Sequence, residues 1–217
     1  RLVTMFLRRL LSAPVIIGAI LVVLIGIAGG LITNPTPIDS SVLTDFIDSR
    51  SPGVTALMNG VGFVFDPNAV AVMAVVAGLI VWRVVKKILH GVFVTGSVAL
   101  SAVNAHIIKA LDGRPRPPEV TRLAAETSPS FPSGHTTAIT AFLAALVLVL
   151  TMTRWGRRLR HLLWIAALAF IVFIAVSRLY LGVHWLTDVL GGFGIGLGST
   201  MILTPFLLGP NVLRRAL

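Results

Sequence analysis

The sequence predicts an all-α protein of the membrane: a polytopic bundle of six transmembrane helices with both termini on the cytoplasmic side. Three observations carry that prediction. Of its 217 residues 56% are hydrophobic and only 12% charged, with a mean hydropathy of +0.94, more apolar surface than a water-soluble core of this length needs. Six apolar runs, at 14–33, 68–85, 91–111, 135–153, 161–180 and 184–208, each approach the ~20 residues that ~30 Å of hydrocarbon requires. The charges, finally, sort by loop. Twelve of the 18 cations (Arg1, Arg8, Arg9, Arg83, Lys86, Lys87, Arg154, Arg157, Arg158, Arg160, Arg214 and Arg215) fall where six spans place one membrane face. All eight acids (Asp39, Asp45, Asp48, Asp66, Asp112, Glu119, Glu126 and Asp188) fall on the other. The positive-inside rule makes the cationic face cytoplasmic.

Each element follows from these runs. The first is too long for the apolar core of a signal peptide and reads as a span. The segment 34–67 that follows is polar but contains Val42, Phe46 and Ile47, which predicts a short helix lying at the outer interface. Short joins link the remaining spans, so the chain reads as one domain, 1–217. The outer segments are 34–67, 112–134 and the tight turn at 181–183. Cysteine is absent, which removes disulfides, a thiolate nucleophile and cysteine-based metal sites. The net charge of +10 does not point to nucleic acid, because the cations are spread as topology determinants and form no single patch.

Ionisable residues within or at the rim of a span are costly and mark an internal site. Lys109 ends the third span, His135 starts the fourth, Arg178 lies near the end of the fifth, and His184 and Asp188 open the sixth. All these ends share the outer face. In sequence, Lys109 precedes Arg116-Pro117 by six intervening residues; Pro132-Ser133-Gly134-His135 follows; Ser177-Arg178, His184 and Asp188 complete the set. In order and spacing these three motifs resemble the signature of the type 2 phosphatidic acid phosphatase (PAP2) superfamily. The motif-bearing core runs over 109–188, and the rest of the chain resembles the membrane branch of that family in its six-helix layout alone.

The resemblance implies a lipid phosphatase that works through a phosphohistidine. His184 is then the nucleophile, Asp188 its orienting partner, and His135 the acid and base. Lys109, Arg116, Ser133, Gly134 and Arg178 hold the phosphate. The residue types suit that chemistry. Transferring phosphoryl carries charge on three oxygens, which positioned cations stabilise. Prolines stiffen the stretch Arg114-Pro115-Arg116-Pro117. A helix beginning at Ser133–Gly134 presents free N–H groups and the positive end of its dipole. Asp188, four residues beyond His184, shares its helical face and can set its tautomer. Three cations already neutralise a phosphate, so no metal and no cofactor is expected.

Blander readings apply elsewhere. Arg114 and Arg122 read as snorkelling or loop residues, and His90 and His161 as cytoplasmic interfacial ones. His106 reads as a buried, hydrogen-bonded histidine and Tyr180 as an aromatic-belt residue. Gly191, Gly192, Gly194, Gly196 and Gly198 read as packing positions, and Asp112 as a partner for Arg114 or Arg116, or as a cap. The expected function is metal-independent hydrolysis of a lipid phosphate or pyrophosphate at the outer face of a plasma membrane. The expected substrate is polyprenyl pyrophosphate, phosphatidylglycerol phosphate or phosphatidic acid, with membrane lipids as further partners. Two alternatives remain: phosphotransfer to a lipid or sugar acceptor, and non-catalytic transport of a lipid or anion. Six spans disfavour a haloperoxidase, which shares the motif.

Overall fold

The computed structural model describes residues 2–209, and every regular element among them is helical. The predicted inner-side cations Arg1, Arg214 and Arg215 lie outside the described residues. Six helices are long and apolar enough to cross a membrane: α2 (Ala13–Leu31), α5 (Pro67–Val85), α6 (Ile88–Asp112), α7 (Gly134–Thr151), α9 (Arg160–Tyr180) and α10 (Leu186–Leu207). Their bounds stay close to the apolar runs, because the length of a run sets the length of a span.

Among the described residues, four further α-helices and one short 3-10 helix (Glu119–Thr121) lie outside the spans. α1 (Leu2–Leu10) packs against α2 and the end of α10, where Arg9 Nη1 donates to Phe206 O at 3.0 Å. α8 (Arg154–Arg158) is a single turn joining α7 to α9. The segment predicted to hold one interfacial helix forms two, α3 (Pro37–Asp48) and α4 (Pro52–Val64). Each begins with proline in its first turn, where the missing N–H costs nothing, behind Thr36 and Ser51 as N-caps. Both pack against α9, beside the start of α10.

α10 is the hub, packed against α2, α6 and α7. Its glycines permit that crowding. A Cβ on Gly198 would fall 2.8 Å from Gly18 O, and one on Gly18 would fall 2.6 Å from Gly198 O, so the two backbones touch reciprocally. Gly192 and Gly196 present the same bare edge to the carbonyls of Ser133 and Thr137 on α7. Asn104 Nδ2 donates to Ser199 Oγ at 3.0 Å and ties α6 to α10.

Two sequence expectations change here. Tyr180 is buried, not set in an interfacial belt. Its hydroxyl accepts from Ser51 N at 2.9 Å and pairs with Thr55 Oγ1 at 3.0 Å, because the unforeseen α4 lies over it. His90 is buried within the bundle. Arg50 locks the same corner, donating to Tyr180 O at 3.1 and 3.0 Å and to Thr121 O at 2.8 Å.

Candidate active site

The motif residues come from separate stretches of the chain and meet at one end of the bundle. α6 delivers Lys109 in its last turn, the start of α7 delivers Ser133, Gly134 and His135, and the last turn of α9 delivers Arg178. The turn between α9 and α10 carries His184, and the first turn of α10 carries Asp188. Arg116 arrives on the loop after α6, whose path is held by Trp185 Nε1 donating to Pro115 O at 3.0 Å.

His184 Nδ1 lies 3.3 Å from Asp188 Oδ2, and its Nε2 lies 3.1 Å from Arg116 Nη1. A guanidinium can only donate, so Nε2 accepts and the ring proton resides on Nδ1, pointing at the carboxylate. The other donors to Asp188 are Trp185 N at 2.8 Å, Ser130 Oγ, and Arg114 Nη1 at 2.6 Å. Burial, and after it Arg116 and Lys109, push the His184 imidazole down to about 3, outweighing the pull of Asp188. The ring is neutral, with its Nε2 lone pair turned to Arg116.

Arg116 is shaped by its acceptors: Ser128 O at 2.8 Å, Val183 O at 2.8 Å, Ser128 Oγ at 3.1 Å and Glu126 Oε2 at 3.2 Å. Burial lowers its pKa against the pull of Glu126 and Asp188. Lys109 Nζ donates to Pro129 O. Arg178 is 2% exposed; it donates to Ser177 Oγ at 3.1 Å and Met58 O at 3.4 Å, and its Nη1 lies 3.3 Å from His135 Nε2. His135 Nε2 also lies 3.1 Å from Gly62 O. The hydroxyl of Ser133 is turned inward as the α7 N-cap, accepting from Thr136, so what α7 offers a ligand is the backbone of Gly134 and His135. Among the described residues, no group of three or more His, Cys, Asp or Glu side chains is arranged to hold a metal.

A cavity of about 650 Å³ opens from these groups. Lys109, Arg116, His135 and His184 line its polar end, while Ala71, Val75, Val98, Ala99, Ala102 and Ala138 of α5, α6 and α7 form an apolar wall.

Several participants were not legible beforehand. Arg114, read as a loop or snorkelling residue, is among the largest fully buried side chains. It bridges Asp188 Oδ1 and Asp39 Oδ2 at 2.6 and 2.9 Å. His106 is exposed to the cavity and not buried in hydrogen bonds. Asp112 makes no ion pair with Arg114 or Arg116, and neither of its carboxylate oxygens has a hydrogen-bond partner among the described residues. Gly62 on α4 packs directly on Arg178: a Cβ there would lie 2.1 Å from Arg178 Nη2. Its only sequence signal is a glycine inside an apolar helix. Gly62→Ala is expected to displace Arg178 and lower kcat/KM about 10²-fold, as loss of one transition-state cation does; steady-state kinetics on monodisperse protein checks this.

The PAP2 superfamily profile matches residues 90–209, more than half of the chain, and the chain belongs to that superfamily. It is 37% identical over 81 residues to phosphatidylglycerophosphatase B of Bacillus subtilis, covering 37% of this chain and 40% of that protein. It is 30% identical over 127 residues to an undecaprenyl-diphosphatase of Sulfolobus acidocaldarius, covering 56% of each. The chain thus spans roughly half the length of these curated relatives. Among solved structures, the transmembrane PAP2-type phosphatidylglycerolphosphate phosphatase of Bacillus subtilis superposes with a TM-score of 0.77 at 23% identity. That match covers 85% of this chain and 93% of the other, and it establishes a shared fold.

Proposed function

We propose that this chain is a metal-independent lipid phosphatase that cleaves a lipid phosphate or diphosphate through a phosphohistidine on His184. One observation carries the reading. His184 is fixed by Asp188 with its Nε2 lone pair beside Arg116, at the polar end of a cavity with an apolar wall. A phosphate with a hydrocarbon tail fits that two-part space, and the relatives named as phosphatases act on such lipids.

In the first step Nε2 attacks phosphorus, and the bond from phosphorus to the leaving oxygen breaks. Arg116 Nη1 must turn from Nε2 to a phosphoryl oxygen to free the attacking lone pair. The Nδ1 proton stays on His184, so the phosphorylated ring is cationic and Asp188 stabilises it. His135 protonates the leaving oxygen; with its Nε2–H donated to Gly62 O, its Nδ1 is the nitrogen for that transfer. In the second step His135 takes a proton from water, whose oxygen attacks phosphorus; the phosphorus–Nε2 bond breaks, returning His184 neutral with its proton on Nδ1 and releasing inorganic phosphate. The free N–H groups of Gly134 and His135, with Lys109 and Arg178, hold the phosphoryl oxygens. Only Pro67 Cγ, 3.4 Å away, would meet a side chain on Gly134, so close approach of an anion is the stronger reason for glycine there. By charge sorting, the site faces the periplasmic or extracellular side of a plasma membrane, and the chain acts as one domain.

The test is phosphate release in detergent with excess EDTA, from polyprenyl diphosphate, phosphatidylglycerol phosphate and phosphatidic acid in parallel. Release undiminished by EDTA is expected, and the fastest lipid names the substrate. No release from any of the three would overturn the reading.

A further inference from the structure

We propose that Asp39 and Arg114 are positioning residues for the nucleophile, a buried charge relay that holds Asp188 in place while leaving its negative charge directed at His184. The proposal rests on the phosphohistidine reading above.

Neither residue belongs to the three motifs, and they come from distant parts of the chain: Asp39 from α3, Arg114 from the loop after α6, 75 residues apart. Yet the two and Asp188 form one continuous row. Arg114 Nη2 donates to Asp39 Oδ2 at 2.9 Å, and Arg114 Nη1 donates to Asp188 Oδ1 at 2.6 Å. The opposite oxygen of Asp188 faces His184. Thr187 fills the notch. Its Oγ1 accepts from Arg114 Nη1 at 2.7 Å, and its N–H donates to Asp39 Oδ1 at 2.9 Å. All three charged side chains are fully buried.

Stability does not account for such a row. Removing charges from water costs several kcal/mol each, and apolar groups of similar volume serve a core as well or better. Charge order gives the better account. Arg114 beside Asp188 alone would draw the carboxylate's field away from His184. Asp39 neutralises the far fork of Arg114, so the Asp39–Arg114 pair carries no net charge. The pair clamps Asp188 by direct hydrogen bonding yet subtracts little from the negative potential at Nδ1, where cationic phosphohistidine develops. Asp39 is well placed to stay ionised: burial opposes its charge, but hydrogen bonds from Thr187 and Thr36 hold its carboxyl below the ordinary carboxylate value. It closes the capping box of α3 and also caps α10, so the pose of a helix outside the spans is tied to the catalytic carboxylate.

The experiment is a double-mutant cycle of Asp39→Asn and Arg114→Gln in the full chain. It uses kcat, KM and the rate of phosphoenzyme formation, each normalised to monodisperse protein, with His184→Ala alongside. Each single variant is expected to lower kcat about 10- to 100-fold with KM within about 2-fold, the scale on which a residue that orients a catalytic group acts. Asp39→Asn leaves an uncompensated cation on Asp188, so the double variant, with charge balance restored, is expected to exceed it in kcat by about 5-fold or more. A merely structural pair, being in direct contact, would couple as well, but through thermal stability, leaving kcat and the phosphorylation rate of the folded protein unchanged. Should the charge variants fail to fold, Thr187→Val removes only the hydroxyl in the notch and is expected to lower kcat a few-fold at constant KM. Singles with unchanged kcat, additive losses in the cycle, or an unaffected Thr187→Val would each overturn the relay. Activity surviving in His184→Ala would instead overturn the underlying mechanism.

Discussion

Replacing His184 with alanine is expected to lower phosphate release by about 10⁴-fold or more, the scale on which loss of a covalent nucleophile registers. Acid-labile phosphate bound to the protein should vanish with it, which phosphoenzyme trapping with labelled substrate measures. KM should change little, because the cations that seat the phosphate remain. The same histidine sets a pH dependence. Its pKa lies near 3, far below the ordinary value of about 6.5, so the neutral, attacking form persists as pH falls from 7 to 5. A histidine at its ordinary value would lose more than about 10-fold of that form over the same interval. The phosphorylation rate in single-turnover experiments is therefore expected not to fall between pH 7 and pH 5. A decline centred near 6.5 would show that binding or conformational change restores an ordinary pKa before chemistry.

Replacing Arg116 with lysine, although it keeps the charge, is expected to lower kcat/KM by about 10²- to 10³-fold, the cost of losing one positioned donor to a developing oxyanion. The planar fork reaches Ser128 O, Val183 O and His184 Nε2 simultaneously. A lysine ammonium is a point charge that cannot hold those directions at once. The loss should fall mainly on kcat, since Lys109 and Arg178 still attract the anion. Burst kinetics separating binding from phosphorylation check this. A loss confined to KM would reassign Arg116 to substrate capture.

The contrast between Arg114 and Arg116 shows where sequence reasoning stops. Two residues apart in one Arg-Pro-Arg-Pro stretch, they look alike on paper. Arg116 turns to Glu126, Ser128 and His184, while Arg114 turns to Asp39 and Asp188. The prolines that stiffen the stretch were legible, but the acceptors on either side of it were not. The segment 34–67 makes a related point. Thr36-Pro37 and Ser51-Pro52 are readable helix starts, and a closer reading of caps would have found both α3 and α4. Nothing local would have said that α4 lays Gly62 and Met58 against His135 and Arg178.

The number of spans and their approximate bounds can be read from the chain alone, since bilayer thickness demands a minimum apolar length. So can the gathering of Lys109, His135, Arg178, His184 and Asp188 at one end, since alternating spans leave no other placement. The pairing of His184 with Asp188 was legible from their spacing, but it forms across a helix start and not along a helical face: His184 lies on the turn before α10, and Asp188 in its first turn. What stands behind that pair is a matter of long-range packing. Asp39 lies 148 residues before Thr187 and meets it only because α3 folds over the start of α10. Ion pairs between segments so far apart leave no periodicity or spacing in the chain. Their partners are chosen by packing.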